Sequence, residues 1–109
     1  MKLVPHHSFD DRQQALTVAI LEVIAAELKK VDAPRELIEQ LTGAIAFSVT
    51  ALLDDSASVD FADGEISPML TFQVGNEELA YAGGSTWMHE YVYRLLPSVI
   101  QRISEADDV

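Results

Sequence analysis

The spacing of apolar residues divides the chain into helical segments at either end and a β segment between them. In residues 8–30, apolar side chains recur every three or four positions, which is the spacing of one helix face. Ser8, with Asp11 three residues later, resembles a capping box, and Lys29 and Lys30 suit the negative end of a helix dipole. The pattern therefore predicts a first helix over about residues 8–30.

A second predicted helix contains a long stretch without charge. Residues 41–53 carry no charged side chain, and their apolar side chains fall on every face of a helix. Such a helix must be covered on most sides. At ~1.5 Å per residue the stretch is about 20 Å long, shorter than the ~30 Å apolar core of a bilayer. We therefore expect a central helix covered by the rest of the chain or by a second copy.

The ends of this central helix are marked by acids and a proline. Asp32 is the predicted N-cap, Pro34 lies in the first turn, and Asp54 with Asp55 ends the helix. Because the connection from the first helix is so short, the two helices should pack as an antiparallel hairpin.

Between residues 58 and 82 the apolar period changes from helical to alternating, which indicates strands. Asp63 with Gly64, and Gly75 with Asn76, are candidate two-residue loops. Together these loops place the large apolar side chains on one face of a three-stranded antiparallel meander. The predicted partners are Phe61 with Ile66, Val59 with Pro68, Phe72 with Leu79, and Leu70 with Tyr81.

A last helix follows, and it completes the predicted fold. Its core stripe runs from Met88 to Ile103 at helical spacing, with Pro97 inside it. The expected fold is a two-layer α+β arrangement with the order α-α-β-β-β-α. Residues 1–109 are expected to form a single domain, with flexible tails at 1–7 and 105–109.

Composition narrows the classes of function. The chain has 109 residues, a net charge of −11, no cysteine and 49% hydrophobic residues. This hydrophobic content excludes a disordered chain. The negative charge argues against binding nucleic acid or anionic membranes, and it favours solubility or attraction to a basic protein. The N-terminus lacks the apolar core of a signal peptide, so a cytoplasmic protein is expected.

The most suggestive local pattern for a ligand site lies at the start of the last helix. A strand, small residues and then a helix start can direct backbone N–H groups toward a phosphate or carboxylate. No P-loop lysine is present, and a hydroxyl cap explains the same residues without any ligand. The candidate ligand-binding residues are Gly83, Gly84, Ser85, Thr86 and His89.

His89 is also a candidate general base, with Ser85 or Thr86 as a nearby hydroxyl. A nucleophile–base pair needs a group that orients the base, and Glu90 lies on a different part of the helix surface. The acids around Gly64 do not match the calcium-loop signature. We therefore expect no catalytic set, no metal and no cofactor.

Three aromatic residues flank the core stripe of the last helix and form a candidate interaction surface, namely Trp87, Tyr91 and Tyr93. Aromatic side chains commonly anchor protein interfaces. Three helices and three short strands offer little cover for both these residues and the central helix, which favours a homodimer. The favoured function is a small acidic, non-catalytic interaction module that binds another protein. The acidic charge suits a basic protein as one such partner. The alternative is a small-molecule or phosphate-binding enzyme with its site at residues 83–89.

Overall fold

The computed structural model describes residues 1–82 and 85–106, and within these ranges it is an α+β fold of three helices and five strands, as the sequence predicts in outline. The helices are α1 (Phe9–Lys30), α2 (Arg35–Leu53) and α3 (Met88–Glu105). The strands are β1 (Lys2–Pro5), β2 (Val59–Phe61), β3 (Gly64–Ile66), β4 (Phe72–Gln73) and β5 (Glu78–Tyr81).

The three helices pack on one another and enclose the main core. The start of α1 contacts the start of α3, and Lys29 near the end of α1 bonds to the backbone of Ile103 near the end of α3, so these two helices run parallel. The buried cluster between the helices draws on all three of them: Leu21, Ala25, Ile38, Ala46, Val92, Leu96, Val99 and Ile100.

Gly43 allows α2 and α3 to approach closely. A Cβ atom at this position would lie 2.9 Å from Cε1 of Tyr93 and 3.0 Å from Cδ2 of Leu96. These separations are shorter than ordinary van der Waals contact, so a larger residue would force the side chains of Tyr93 and Leu96, or the helices themselves, to shift.

Both α1 and α2 end in a Schellman motif that uses aspartate where glycine is usual. Asp32 has φ 58°, and the N–H groups of Asp32 and Ala33 donate to the carbonyls of Lys29 and Leu28. Asp55 has φ 59°, and the same pattern closes the end of α2. The prediction of Asp32 as the N-cap of α2 is therefore wrong, because Asp32 belongs to the end of α1 and Pro34 occupies the N-cap position.

The predicted capping box at the start of α1 is also replaced by other bonds. Ser8 is the N-cap residue, but its side chain makes no capping bond. Its Oγ atom instead lies 2.7 Å from Nδ1 of His6 and accepts a bond from Nε of Arg12 at 2.8 Å. The hydroxyl thus joins the N-terminal segment to the first turn of α1.

The predicted meander is wrong, because the strands form two separate sheets. β5 lies between β1 and β4 in one sheet, parallel to β1 and antiparallel to β4, while β2 and β3 form an isolated hairpin. The segment that was expected to be an N-terminal tail supplies β1, with Lys2 opposite Glu78 and Pro5 opposite Tyr81. A sequence gives little sign of such a parallel partner because it lies far away along the chain.

Both loop predictions place the turn differently from the structure. Phe61 pairs with Gly64, so the first loop is Ala62 and Asp63, with Ala62 at φ 54°. In the second turn Phe72 pairs with Ala80, one residue away from the predicted partner Leu79. That slip places Ala80 opposite Phe72, and Ala80 is fully buried.

By length and composition alone, α2 is the one helix in the described ranges that could cross a membrane. Its mean hydropathy over 18 residues is 1.3, and 33% of that window is buried within the protein. The sequence-based expectation that this segment is too short for a bilayer rested on the shorter uncharged stretch, whereas the helix itself has 19 residues.

Candidate functional site

Asp54 is a buried carboxylate that joins the end of α2 to the start of α3. It is 1% exposed. Its Oδ2 atom accepts a bond from the backbone N–H of His89 at 2.7 Å and lies 2.6 Å from Nδ1 of the same residue. Its Oδ1 atom accepts a bond from the hydroxyl of Thr86. One side chain thus fixes the geometry of the last helix start.

This carboxylate occupies the place where the sequence predicted a bound anion. A negative charge at a helix N-terminus is favoured by the exposed N–H groups and the helix dipole. Here the charge comes from Asp54 of the same chain, and an external anion would have to compete with it for His89 and Thr86. Capping of α3 by Asp54 therefore accounts for the arrangement of Thr86 and His89. The predicted hydroxyl cap is wrong, because Trp87 occupies the N-cap position and the hydroxyl of Thr86 bonds to Asp54.

The other predicted ligand-binding residues are placed differently. Ser85 lines a small open cavity of about 150 Å³ beside Asp55 and the segment from Ser67 to Met69. Gly83 and Gly84 lie outside the described residues. A ligand site at the start of α3 stays a prediction.

Asp54 and His89 also form the pair that orients a general base in many enzymes. With its Nδ1–H donated to Asp54, the imidazole leaves Nε2 as a proton acceptor. The side chain of His89 is 20% exposed, and the ring of Phe47 meets it edge-on at 5.7 Å between centroids. His89 can therefore accept a proton at Nε2. Acyl-transfer chemistry also needs a hydroxyl in contact with this base, and the hydroxyl of Thr86 does not serve, because it bonds to Asp54 instead.

Sequence reasoning missed Asp54 as the orienting group because it considered only neighbours of His89 on the same helix. The sequence did contain one signal. Asp54 lies at the C-terminal end of α2, where a negative charge is unfavourable unless another element supplies hydrogen-bond donors to it.

Trp87 and Tyr91, two of the three predicted interaction residues, are half-buried and bonded to α1. The indole N–H of Trp87 donates to the hydroxyl of Tyr91 at 3.1 Å, and that hydroxyl donates to Oδ1 of Asp10 at 2.5 Å. The backbone N–H of Trp87 donates to Oε1 of Gln13 at 3.2 Å. The bond from Tyr91 is the main cause that lowers the pKa of Asp10, and the same bond raises the pKa of Tyr91.

Tyr93, the third predicted interaction residue, is 58% exposed. Its ring lies 5.9 Å from that of Phe47, which is itself 40% exposed. Of the three aromatic residues, Tyr93 is therefore the most exposed, although one edge of its ring packs against Gly43 of α2.

An exposed apolar surface lies elsewhere, on the α1–α2 hairpin. We call it the hairpin face. Val23 on α1 is 64% exposed, and Ile45 and Val49 on α2 are 41% and 40% exposed. An open groove of about 360 Å³ between the two helices is lined only by apolar side chains, namely Leu16, Ala19, Ile20, Val23, Ile24, Ile45 and Val49.

Along α2, the exposed apolar residues Leu37 and Leu52 extend the hairpin face in both directions. The stripe from Leu37 to Leu52 is about 22 Å long at ~1.5 Å per residue, and two adjacent helices are about 20 Å wide. The face therefore covers roughly 400–500 Å² of one copy by these dimensions. The chain therefore leaves apolar residues of the central helix partly exposed, namely Leu37, Ile45, Val49 and Leu52.

Comparison with known proteins adds no relative, since no family model, no curated protein and no solved structure matches this chain. Within residues 1–82 and 85–106, no three His, Cys, Asp or Glu side chains come together as potential metal ligands.

Proposed function

We propose that this protein is a small acidic interaction module that forms a homodimer through the hairpin face. The observation that carries the proposal is the groove between α1 and α2, which has an entirely apolar lining in a chain with a net charge of −11. Exposed apolar patches of several hundred Å² mark contact surfaces in soluble proteins.

A second copy is the occupant that best fits the hairpin face. No charged side chain lines its groove, so two copies can meet there without bringing like charges into direct contact. Two faces of roughly 400–500 Å² bury about 800–1,000 Å² together, which lies at or just below the ~1,000 Å² expected of a specific interface and in the range of weak, transient contacts. The area therefore supports a reversible dimer rather than an obligate one.

The acidic surface outside the hairpin face is the part of the molecule suited to another protein. A net charge of −11 attracts a basic partner over a distance set by the ionic strength. We therefore propose a basic protein as the external partner, bound by a dimer whose apolar contact is already used. A cytoplasmic location remains the expectation.

The dimer is tested by light scattering over micromolar concentrations. In the wild-type chain the mean mass should rise toward twice that of the monomer, whereas Val23→Glu should stay monomeric because a carboxylate would be buried without a partner. Val31→Glu provides the control, since Val31 is 72% exposed, lies at the end of α1 outside the hairpin face, and gives the same change in charge.

A wild-type protein that remains monomeric throughout this range would contradict the dimer. Equal loss of association in Val23→Glu and Val31→Glu would place the contact somewhere other than the hairpin face.

A second candidate function, a ligand-binding or enzymatic site at the start of α3, is favoured by the contact between Asp54 and His89, which orients His89 as a proton acceptor. An anion bound there would have to displace Asp54 from the backbone N–H of His89. Inorganic phosphate is a suitable probe, because this helix start was predicted to bind an anion. The site predicts that phosphate raises the melting temperature of the wild-type protein and of His7→Ala, but not of His89→Ala or Ser85→Ala. The absence of a phosphate effect in the wild type would remove phosphate as a ligand of this site.

A further inference from the structure

Basic residues are concentrated at one end of this acidic molecule. Only seven of the 109 residues are lysine or arginine. Four of them, Lys29, Lys30, Arg35 and Arg102, line adjoining cavities where the α1–α2 turn meets the last turns of α3. Two acids, Asp32 and Glu22, line the same cavities, so four cations less two anions leave a lining charge of +2 in a chain whose net charge is −11.

The cavity at this end has a lining of both polar and apolar side chains, among them three basic residues. Its volume is about 520 Å³, within the roughly 300–1,000 Å³ of small-molecule sites. Lys29, Lys30 and Arg35 contribute the positive charges, and Asp32 is the single acid among the lining residues. Ile38, Ile100 and Ile103 supply the apolar surface, and two of these, Ile38 and Ile100, are buried members of the main core.

The lining is anchored by contacts between helices. Nζ of Lys29 donates to the backbone carbonyl of Ile103 at 3.0 Å, which fixes the turn against the end of α3. Lys30 forms an exposed ion pair with Glu27 at 2.9 Å, a contact that water weakens. Within the described ranges Arg35 makes no ion pair, and its guanidinium is available for bidentate contact with a carboxylate or phosphate.

A second cavity of about 510 Å³ shares Lys29, Lys30 and Ile103 with the first and extends the apolar lining to Ala26 and Val99. A ligand spanning both cavities would have its charged group near the basic side chains and its apolar part between α1 and α3. The geometry points to a binding site for an amphiphilic organic anion, in which Lys30 and Arg35 hold a carboxylate or phosphate head and the two cavities hold an apolar body.

The chemistry of the cavity favours this ligand class over a simple inorganic ion. An inorganic anion would use the cations and leave the exposed surface of Ala26 and Ile103 in contact with water, whereas an apolar body removes that surface from water. A neutral apolar molecule would gain nothing from Arg35.

Decanoate is the probe, used below its micelle-forming concentration, and binding is followed by titration calorimetry and by amide shifts in nuclear magnetic resonance. The site predicts saturable binding with shifts at the α1–α2 turn and the last turns of α3. The double variant Lys30→Gln/Arg35→Gln should weaken binding at least tenfold, since charged hydrogen bonds contribute more than neutral ones.

The matched control is Lys2→Gln/Arg12→Gln, which removes the same two charges from residues that do not line either cavity. Its affinity for decanoate should stay within about twofold of wild type, because distant exposed charges are largely screened.

Two ligand controls separate the head from the apolar body. Acetate, which lacks the body, and decanol, which lacks the charge, should each bind far more weakly than decanoate. Inorganic phosphate that binds as tightly as decanoate would overturn the amphiphilic class.

Three further results would overturn the site itself: no saturable binding of decanoate, equal weakening in both double variants, or shifts confined to the hairpin face. The last of these would show that decanoate uses the apolar groove between α1 and α2 instead. Dimer formation by the hairpin face does not depend on any of these outcomes.

Discussion

At the scale of the residue, Asp54 is the side chain on which the start of α3 depends most directly. It accepts bonds from Thr86 and His89 while almost wholly buried. A buried donor that loses its acceptor keeps the cost of having been removed from water, about 1–3 kcal/mol per group. The carboxylate is therefore as important for structure as it is for any chemistry at His89.

Asp54→Asn should lower the free energy of unfolding by about 1–3 kcal/mol, because an amide N–H₂ would face groups that themselves donate. The measurement is urea unfolding followed by circular dichroism. Asp55→Asn is the neighbouring control; its side chain is exposed, and asparagine tolerates positive φ, so a change within about 0.5 kcal/mol is expected. Equal effects in the two variants would show that Asp54 has no special part in holding α3.

Tyr91 should control the stability of the protein in acid. Its bond to Asp10 lowers the pKa of that carboxyl from the ordinary 3.8, so this contribution to stability is present above about pH 4 and is lost as the pH falls through the lowered pKa. Tyr91→Phe should reduce stability at pH 7 by about 1 kcal/mol and make the decline below pH 4 shallower.

The bond acts in the opposite sense at high pH. The pKa of Tyr91 is raised above the ordinary 10.0, so its contribution is present below pH 10 and is lost as the pH rises through the raised value. The free energy of unfolding, measured in acid and at alkaline pH, tests both effects. The control is Tyr93→Phe, since Tyr93 is exposed. Identical pH profiles for wild type and Tyr91→Phe would contradict the assignment.

The sequence identified several residues of the candidate site, but it did not show how they are connected. Thr86 and His89 were singled out from the local pattern at a helix start, which is readable because caps depend on neighbouring residues. Asp54 lies 35 residues from His89, and Asp10 lies 81 residues from Tyr91. Such pairs depend on how helices pack, which residue spacing along one element does not specify.

At the scale of the element, helix periodicity was a better guide than strand pairing. All three helices appear near their predicted positions, because a repeat of apolar residues over four or more turns is a strong signal. The strands have only two to four residues each, and the partner of β5 comes from the N-terminus. With so few residues per strand, a loop one residue longer than expected was enough to change the register.

The end of α2 provides a prediction at this scale. Asp55 holds a left-handed conformation that glycine adopts without steric cost, and its charge lies at the negative end of the helix. Asp55→Gly should therefore raise the free energy of unfolding by about 0.5–1 kcal/mol. Asp55→Ala, which lacks both the freedom of glycine and the local hydrogen bonding of aspartate, should lower it.

Chemical unfolding of the two variants side by side measures the difference. If alanine proved as stable as glycine at position 55, the positive φ of the native residue would not be a source of strain.

At the scale of the whole molecule, charge and the hairpin face act against each other in self-association. Each copy carries a net charge of −11, so two copies repel one another even where their apolar faces meet. Raising the salt concentration from about 10 mM to about 0.1 M shortens the screening length from ~30 Å to ~10 Å and should strengthen the dimer.

The dimer dissociation constant, measured by analytical ultracentrifugation at both salt concentrations, should fall severalfold, while binding to a basic protein should weaken. Val23→Glu should remain monomeric under both conditions. A dimer that weakens with added salt would indicate an interface held by ion pairs, in contradiction to the hairpin face.

The contact between Asp54 and the start of α3 also has a consequence for how the chain tolerates changes in length. The polypeptide leaves the helices after Asp54 and is brought back to the same carboxylate at Thr86 and His89. The segment between Asp54 and Thr86 is therefore a long loop whose two ends meet at this carboxylate. The entropy of closing a loop changes only slowly with the number of residues in it. Insertions in the exposed β2–β3 turn should therefore disturb the three helices little, which makes this turn a natural position for grafting foreign peptide.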